Sequence, residues 1–414
     1  MCALSSPTSP SPSPEISWFL SARFGMFIHF GLYSRIGRGE WIMNQEGLTA
    51  EEIRAEANAF TCNPENIHAW CRTARTSGMR YIVLTTKHHD GFCLWNSTLS
   101  DFNSARIGPQ RDLVAEFVAA ARTEGLRVGL YYSLADWSHP DGARCDHDET
   151  ARRRFIDYTH GLVRELCTQF GPLDLLWFDG PWPLKTAARW ESETLLAEIR
   201  RLQPGCLVNN RLGTGLEGDF GTPEGHITAE NRPWEACMTF NGDWGYTQTP
   251  DEDWRSAREV ARMLQSCTAG GGNLLLNIGP ADQGHIPQAA SDRLERVGHW
   301  LQLHGEACLG PHDRLGDRFP PITNVGFWTL LDRTAWFWLA RAYPGTTLSL
   351  GGLRGRITKA TLLHQPDRPL AWEQTDLRTR IHGLPATCDE PHLGIPILRL
   401  DFADPPSQKF PYPY

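Results

Sequence analysis

The chain has 414 residues, and its 40 Lys+Arg against 48 Asp+Glu leave a formal charge of −8, a balance that disfavours a nucleic-acid partner, which needs a basic face to neutralise phosphates. Hydrophobic residues at 41% and charged residues at 21% describe a chain able to bury a core rather than a disordered one, and no run reaches the ~20 apolar residues of a membrane helix, so no membrane partner is expected. The length fits two domains, or one large barrel with an appendage.

The chain opens on MCALSSPTSPSPSPE, which lacks the basic start and apolar centre of a secretory signal, and residues 1–16 read as a disordered Ser/Pro tail. The 11 cysteines are scattered, odd in number and without a Cys-x-x-Cys pair. They indicate neither a zinc site nor a disulfide framework, and they suit a reducing, cytoplasmic setting.

From Phe24 to Pro280, seven short apolar runs rich in β-formers alternate with helix-sized stretches. The runs are FGMFIHFG, YIVLTTKHHD, LRVGLYYS, LDLLWFDG, CLVNNR, ACMTF and NLLLNIGP. Between them lie segments such as RDLVAEFVAAARTEG, whose apolar residues recur at threes and fours before a stopping glycine. This alternation predicts βα units on a parallel sheet and a (β/α)8-like barrel over residues 17–310. Polar residues close the runs at their C-terminal ends: His29; Lys87, His88, His89 and Asp90; Tyr131 and Tyr132; Asp179; Arg211. In a barrel all of these ends meet on one face, whereas a doubly wound sheet gathers only those beside its switch point. After Gly310, NVGFWTLL, TAWFWLA and TTLSLGGL are β-rich and broken by Gly and Pro, which predicts an antiparallel β-sandwich over residues 311–414.

Several residues can carry chemistry. Asp179 would stand at the mouth of its strand, although Asp-Gly is equally a common turn pair. Neighbours in a strand point to opposite sides, so at most two of Lys87, His88, His89 and Asp90 face one pocket without a bend. Glu224 and Glu235 follow Arg211, with Glu217 and Glu230 nearby; each is a candidate second carboxyl or a solvated charge. Gly270, Gly271 and Gly272 lack the Lys-Ser/Thr of a phosphate loop and read as a turn into a strand. The 16 tryptophans are the compositional outlier, serving either as core or as surfaces that stack on sugar rings.

Taken together, FGMFIHFGLYS, TTKHHDGFCLW, FNS followed by GPQRDLV, GLYYS, LLWFDG, WGY and GGNLLLNIGP resemble family 29 of the glycoside hydrolases, the α-L-fucosidases, over about residues 18–310. The resemblance implies a barrel followed by a β-sandwich, and hydrolysis of terminal α-L-fucose from fucosylated oligosaccharides or glycoconjugates with retention, without a cofactor or metal. It implies Asp179 as nucleophile, Glu224 as acid/base with Glu235 in reserve, and a fucose pocket of His29, Glu40, Trp41, His88, His89, Tyr132, Trp177 and Arg211. Where many relatives carry an Asp before the Arg, this chain has Asn210, which leaves the partner of Arg211 open. Linkage preference is not legible, and an oligomer is compatible with the sequence. Two other readings remain: a fucose-binding homologue that has lost hydrolysis, and a hydrolase using a metal at His88, His89 and Asp90, which lacks a spaced third ligand.

Overall fold

The computed structural model describes residues 14–320, 323, 325–339, 345–385 and 393–410. Seven strands form one all-parallel sheet: β1 (Phe24–Ile28), β2 (Tyr81–Lys87), β3 (Arg127–Ser133), β4 (Leu175–Asp179), β5 (Leu207–Val208), β6 (Glu235–Thr239) and β7 (Asn273–Ile278), in the order β5-β4-β3-β2-β1-β7-β6. Each corresponds to one of the apolar runs. Their near-continuous burial is what a parallel sheet covered on both faces requires.

The eighth position is filled by an irregular segment. Between β5 and β6, residues 219–225 make parallel bridges on both sides, Asn209 with Phe220, Gly221 with Trp234 and Glu224 with Cys237. Asp219 N–H donates to the Val208 carbonyl at 2.7 Å, Glu235 N–H to Gly221 at 2.9 Å and Gly225 N–H to Cys237 at 3.0 Å. These bonds close the sheet into a barrel of seven regular strands and one irregular one.

Helices cover the outside, and their starts are capped. Asn63 accepts from Glu65 N–H, Asp112 from Ala115 N–H, Asp148 from Thr150 and Ala151 N–H, and Ser256 from Glu259 N–H, each cap contributing about 1 kcal/mol. The helix Leu113–Thr123 buries Val114, Phe117, Val118 and Ala121, the three-and-four spacing of a face turned to a core.

Inside the barrel, the two-residue period of the strands decides which side chains meet. Phe27, Tyr81, Val83, Tyr131, Leu175, Trp177, Leu207, Phe220, Cys237 and Leu275 form one buried lumen cluster with Phe19 and Ala22. The last two belong to the helix Pro14–Ala22, which plugs the N-terminal end of the barrel. Phe19 packs on Phe220 with ring centroids 4.7 Å apart, and its carbonyl accepts from the Asn273 amide at 2.8 Å. The expected tail over residues 1–16 is therefore corrected at its end, because Pro14, Glu15 and Ile16 begin this helix; residues 1–13 lie outside the described residues. Gly25 makes room for the lumen's largest floor residue, since a Cβ there would sit 2.3 Å from the Tyr81 ring.

The last barrel helix, Gln288–His304, is followed by antiparallel sheets. A five-stranded sheet of Gly326–Leu331, Thr334–Leu339, Ile357–Leu362, Gln365–Pro369 and Ile397–Phe402 faces a three-stranded one of Thr347–Gly351, Trp372–Gln374 and Arg378–His382. Trp328, Phe337, Leu348, Ile381 and Leu398 fill the space between them. Nine described cysteines are buried and unpaired by disulfides. No helix among the described residues is long and apolar enough to cross a membrane.

Candidate active site

At the C-terminal mouth of the barrel, Phe27, His29, Glu40, Trp41, His88, His89, Tyr131, Trp177, Asp179, Arg211, Glu224 and Trp244 line a cavity of about 270 Å³. That lies just below the ~300 to 1,000 Å³ of sites for drug-sized ligands and suits a single sugar ring. Alternation along the strands puts Asp179 here, two residues beyond Trp177 on β4, with Ser133 of β3 beside it in register. β2 ends at Lys87, and the turn that follows breaks the alternation, so both His88 and His89 reach the cavity. Lys87 points the other way, its ammonium donating to the Ala135 carbonyl at 2.9 Å and pairing with Asp136. Asp90 instead accepts from Phe92 N–H at 3.0 Å and does not line the cavity. Among the described residues no cluster of three His, Cys, Asp or Glu side chains is arranged to hold a metal.

Arg211 is the electrostatic centre. Its Nη1 donates to Asp179 Oδ1 at 3.1 Å and to Glu224 Oε2 at 2.7 Å, Nε donates to the Thr222 hydroxyl at 2.8 Å, and Nη2 to the Thr222 carbonyl at 3.0 Å. The guanidinium lies over the Trp177 ring, 4.6 Å from its centroid, a cation–π contact shielded from water. Asn210 joins indirectly, its side-chain oxygen accepting from the Thr222 hydroxyl at 2.9 Å. The partners left open by the sequence are thus the two candidate carboxylates and Thr222.

Asp179 also accepts from the Tyr131 hydroxyl at 3.1 Å. Burial pushes its carboxyl up, but the charges of Arg211 and His89 and the bonds from Gly180 N–H and Arg211 outweigh burial and hold it below its ordinary value. An ionised carboxylate is what a nucleophile requires.

The histidines are neutral, and their hydrogen-bond partners fix their tautomers. The Asn277 amide donates to the carbonyls of Asp243 and Trp244, so its oxygen accepts, and His29 carries its proton on Nδ1 across a 2.6 Å bond. The Ser133 hydroxyl donates to the Ala135 carbonyl at 2.9 Å, so it accepts from His89 Nδ1–H at 2.7 Å. Both rings keep Nε2 as an acceptor. Burial pushes His29 down to about 3 and His89 to about 4. His88, stacked on Tyr131 at 5.6 Å, is pushed far down by burial and by its histidine neighbours. Glu40 accepts from Gly245 N–H at 2.7 Å, and burial pushes its carboxyl up.

Two expected site residues are corrected. Tyr132 does not line the cavity: it alternates with Tyr131, faces outward from β3, packs on Phe178 and lies under the Lys87 ammonium. Tyr131 takes the place by the cavity, as the two-residue period ending at Ser133 could have signalled. Glu235, the reserve acid/base, is deep in the lumen beneath Trp177. It accepts from the Trp177 indole at 3.0 Å and from the Tyr81 hydroxyl, and it does not reach the cavity. The sequence reading also missed Phe27, Trp182 and Trp244 as lining residues.

Residues 6–306 match the sequence profile described as alpha-L-fucosidase. The human plasma alpha-L-fucosidase is 34% identical over 328 residues, which cover 72% of this chain and 69% of that protein. Among solved structures, alpha-L-fucosidase isoenzyme 1 from Paenibacillus thiaminolyticus superposes with a TM-score of 0.85 at 34% identity, over 94% of this chain and 99% of that one. The Thermotoga maritima alpha-fucosidase in complex with fucose gives 0.76 at 26% identity, over 93% and 96%. With the profile matched across the barrel and the same barrel-and-sandwich architecture in solved relatives, this chain belongs to the α-L-fucosidases, family 29 of the glycoside hydrolases.

Proposed function

We propose that the protein hydrolyses terminal α-L-fucose from fucosylated glycans with net retention, using Asp179 as nucleophile and Glu224 as acid/base. The observation that carries this reading is the sharing of one nitrogen. Asp179 Oδ1 and Glu224 Oε2 both bond Arg211 Nη1, and the two distances, 3.1 and 2.7 Å, sum to 5.8 Å, the largest separation those oxygens can have. Inverting pairs, which must admit a water, begin at about 6.5 Å, whereas retaining pairs stand about 5 to 5.5 Å apart.

In the first step an Asp179 oxygen attacks the anomeric carbon, the glycosidic bond breaks, and its electron pair passes to the leaving oxygen, which takes the Glu224 proton. Forming the ester removes the negative charge of Asp179. With a neighbouring anion gone, the Glu224 carboxyl is the easier to ionise, which suits it to take a proton from water in the second step. That water oxygen bonds the anomeric carbon and releases Asp179. The Nε2 acceptors of His29 and His89 suit the sugar hydroxyls, and the indoles of Trp177 and Trp244 suit its apolar edge. Fucose bound to the Thermotoga maritima relative supports the choice of sugar.

Azide separates the two roles by stereochemistry. With D179A, turnover of an activated aryl α-L-fucoside should be nearly abolished, and azide, attacking in place of the missing carboxylate, should give β-fucosyl azide. With E224A, azide should intercept the fucosyl ester and give α-fucosyl azide. The same anomer from both variants, or full activity in either, would refute the assignment.

A further inference from the structure

A second cavity, of about 530 Å³, adjoins the first; Asn44, Trp137, Ala143, Asp146, Trp182 and Lys185 are among its lining residues. Trp182 lines both cavities and is 44% exposed, although leaving an indole in water forgoes the burial that most large rings obtain. It is nonetheless held in place, with ring centroids 4.8 Å from His89 and 5.3 Å from Trp41, while Trp137 lies 5.2 Å from Trp41 and 5.1 Å from His89. The carboxylates on this wall are already engaged. Asp136 pairs with the buried Lys87 and accepts from Ser138 and His139 N–H, and Asp146 is bonded by Arg189. What remains for a ligand is two fixed indole faces, with the Asn44 amide and the Lys185 ammonium at an exposed rim.

We propose that this cavity binds the saccharide to which the fucose is linked, a neutral hexose or N-acetylhexosamine seated against Trp182. The inference rests on the fucosidase reading and deepens it. Indole faces take the C–H faces of a pyranose, while amide and ammonium donors take its hydroxyls. The shared Trp182 makes the two cavities one continuous surface, so a sugar bonded to the fucose lies within reach of it.

The test compares a fucosylated trisaccharide with α-L-fucosyl fluoride, whose one-atom leaving group needs no second cavity. Ala143 is exposed and far from the carboxylates' contacts, so A143W should fill the groove without touching the fucose pocket. N44W at the other rim is the companion variant should A143W fold poorly. Either should lower kcat/KM on the trisaccharide by about tenfold or more and leave the fluoride unchanged. Equal rates on the trisaccharide in wild type and both well-folded variants would overturn the inference while leaving the fucosidase reading intact, as would an equal loss on both substrates. Failure of the wild-type protein on both substrates would overturn the reading itself.

Discussion

The indole N–H of Trp177 donates to Glu235 Oε1 at 3.0 Å, in a lumen where both side chains are buried. Because an indole only donates, Oε1 must accept, and a proton on this carboxyl belongs on Oε2, facing Tyr81. The bond fixes the ring that carries the Arg211 guanidinium and so supports Asp179 from two layers below. E235Q preserves an acceptor for the indole and should retain most activity, whereas E235A leaves the indole N–H unpaired and should lower kcat by about tenfold. Equal activity of the two variants would count against the bond as the reason.

The same carboxyl makes stability depend on pH. Burial pushes Glu235 up to about 7, against the bonds from Tyr81 and Trp177 and the charge of Arg211. A carboxyl whose folded value is raised contributes stability that is full below its ordinary range and is lost as pH climbs toward 7. Thermal melts from pH 4.5 to 7.5 should therefore show the wild type losing ground to E235Q as pH rises; parallel curves would refute the assignment.

Replacing Arg211 should move the acid limb of the reaction. Its charge is the largest influence holding Asp179 ionised against burial, so R211Q leaves burial less opposed. The acid limb of kcat/KM should shift to higher pH, with a loss of about 10- to 150-fold at neutral pH from the charged hydrogen bond. A variant that loses activity with its pH profile unmoved would mean that Arg211 only positions substrate.

The neighbouring tyrosines should differ sharply. Y131F deletes the 3.1 Å bond to Asp179 and should cost about tenfold or more in kcat. Y132F removes a hydroxyl turned away from the cavity and should stay within about twofold of wild type. A reversed order would overturn the assignment of Tyr131 to the site.

The three cavity histidines should be silent in the neutral range. Burial leads the causes that push His29 down to about 3 and His89 to about 4, and it pushes His88 far down, so none should titrate between pH 5 and 8 in NMR of the imidazole C–H signals. Dialysis against EDTA should leave turnover unchanged, because both steps are supplied by carboxylates. Activity lost on dialysis and restored by a divalent cation would revive a metal at His88 and His89.

Much of this was legible because the barrel strands announce themselves: buried parallel strands must be apolar almost throughout, and the seven runs became β1 to β7 with their polar ends at one mouth. The eighth position was not legible, since residues 219–225 read GDFGTPEG in context and their pairing comes from β5 and β6 rather than from a pattern of their own. Tyr132 was chosen over Tyr131 by resemblance, where the period of two along β3 decides otherwise. Glu235 looked equivalent to Glu224 in one dimension; only the depth of the lumen separates a carboxyl under Trp177 from one bonded to Arg211 at the mouth. The helix beginning at Pro14 was hidden because its plug contacts, Phe19 on Phe220 above all, join residues two hundred positions apart.

The two halves of the catalytic pair sit on backbone of very different tenacity. Asp179 ends a regular strand flanked by β3 and β5, while Glu224 rides on a glycine-containing segment held by scattered single bonds. Amide hydrogens of β4 should exchange with deuterated solvent only through large-scale opening, and those around Gly221 to Gly225 through local fluctuations. The carboxyl that handles the leaving group and the incoming water can thus shift its position by small amounts while the one that forms the ester stays fixed.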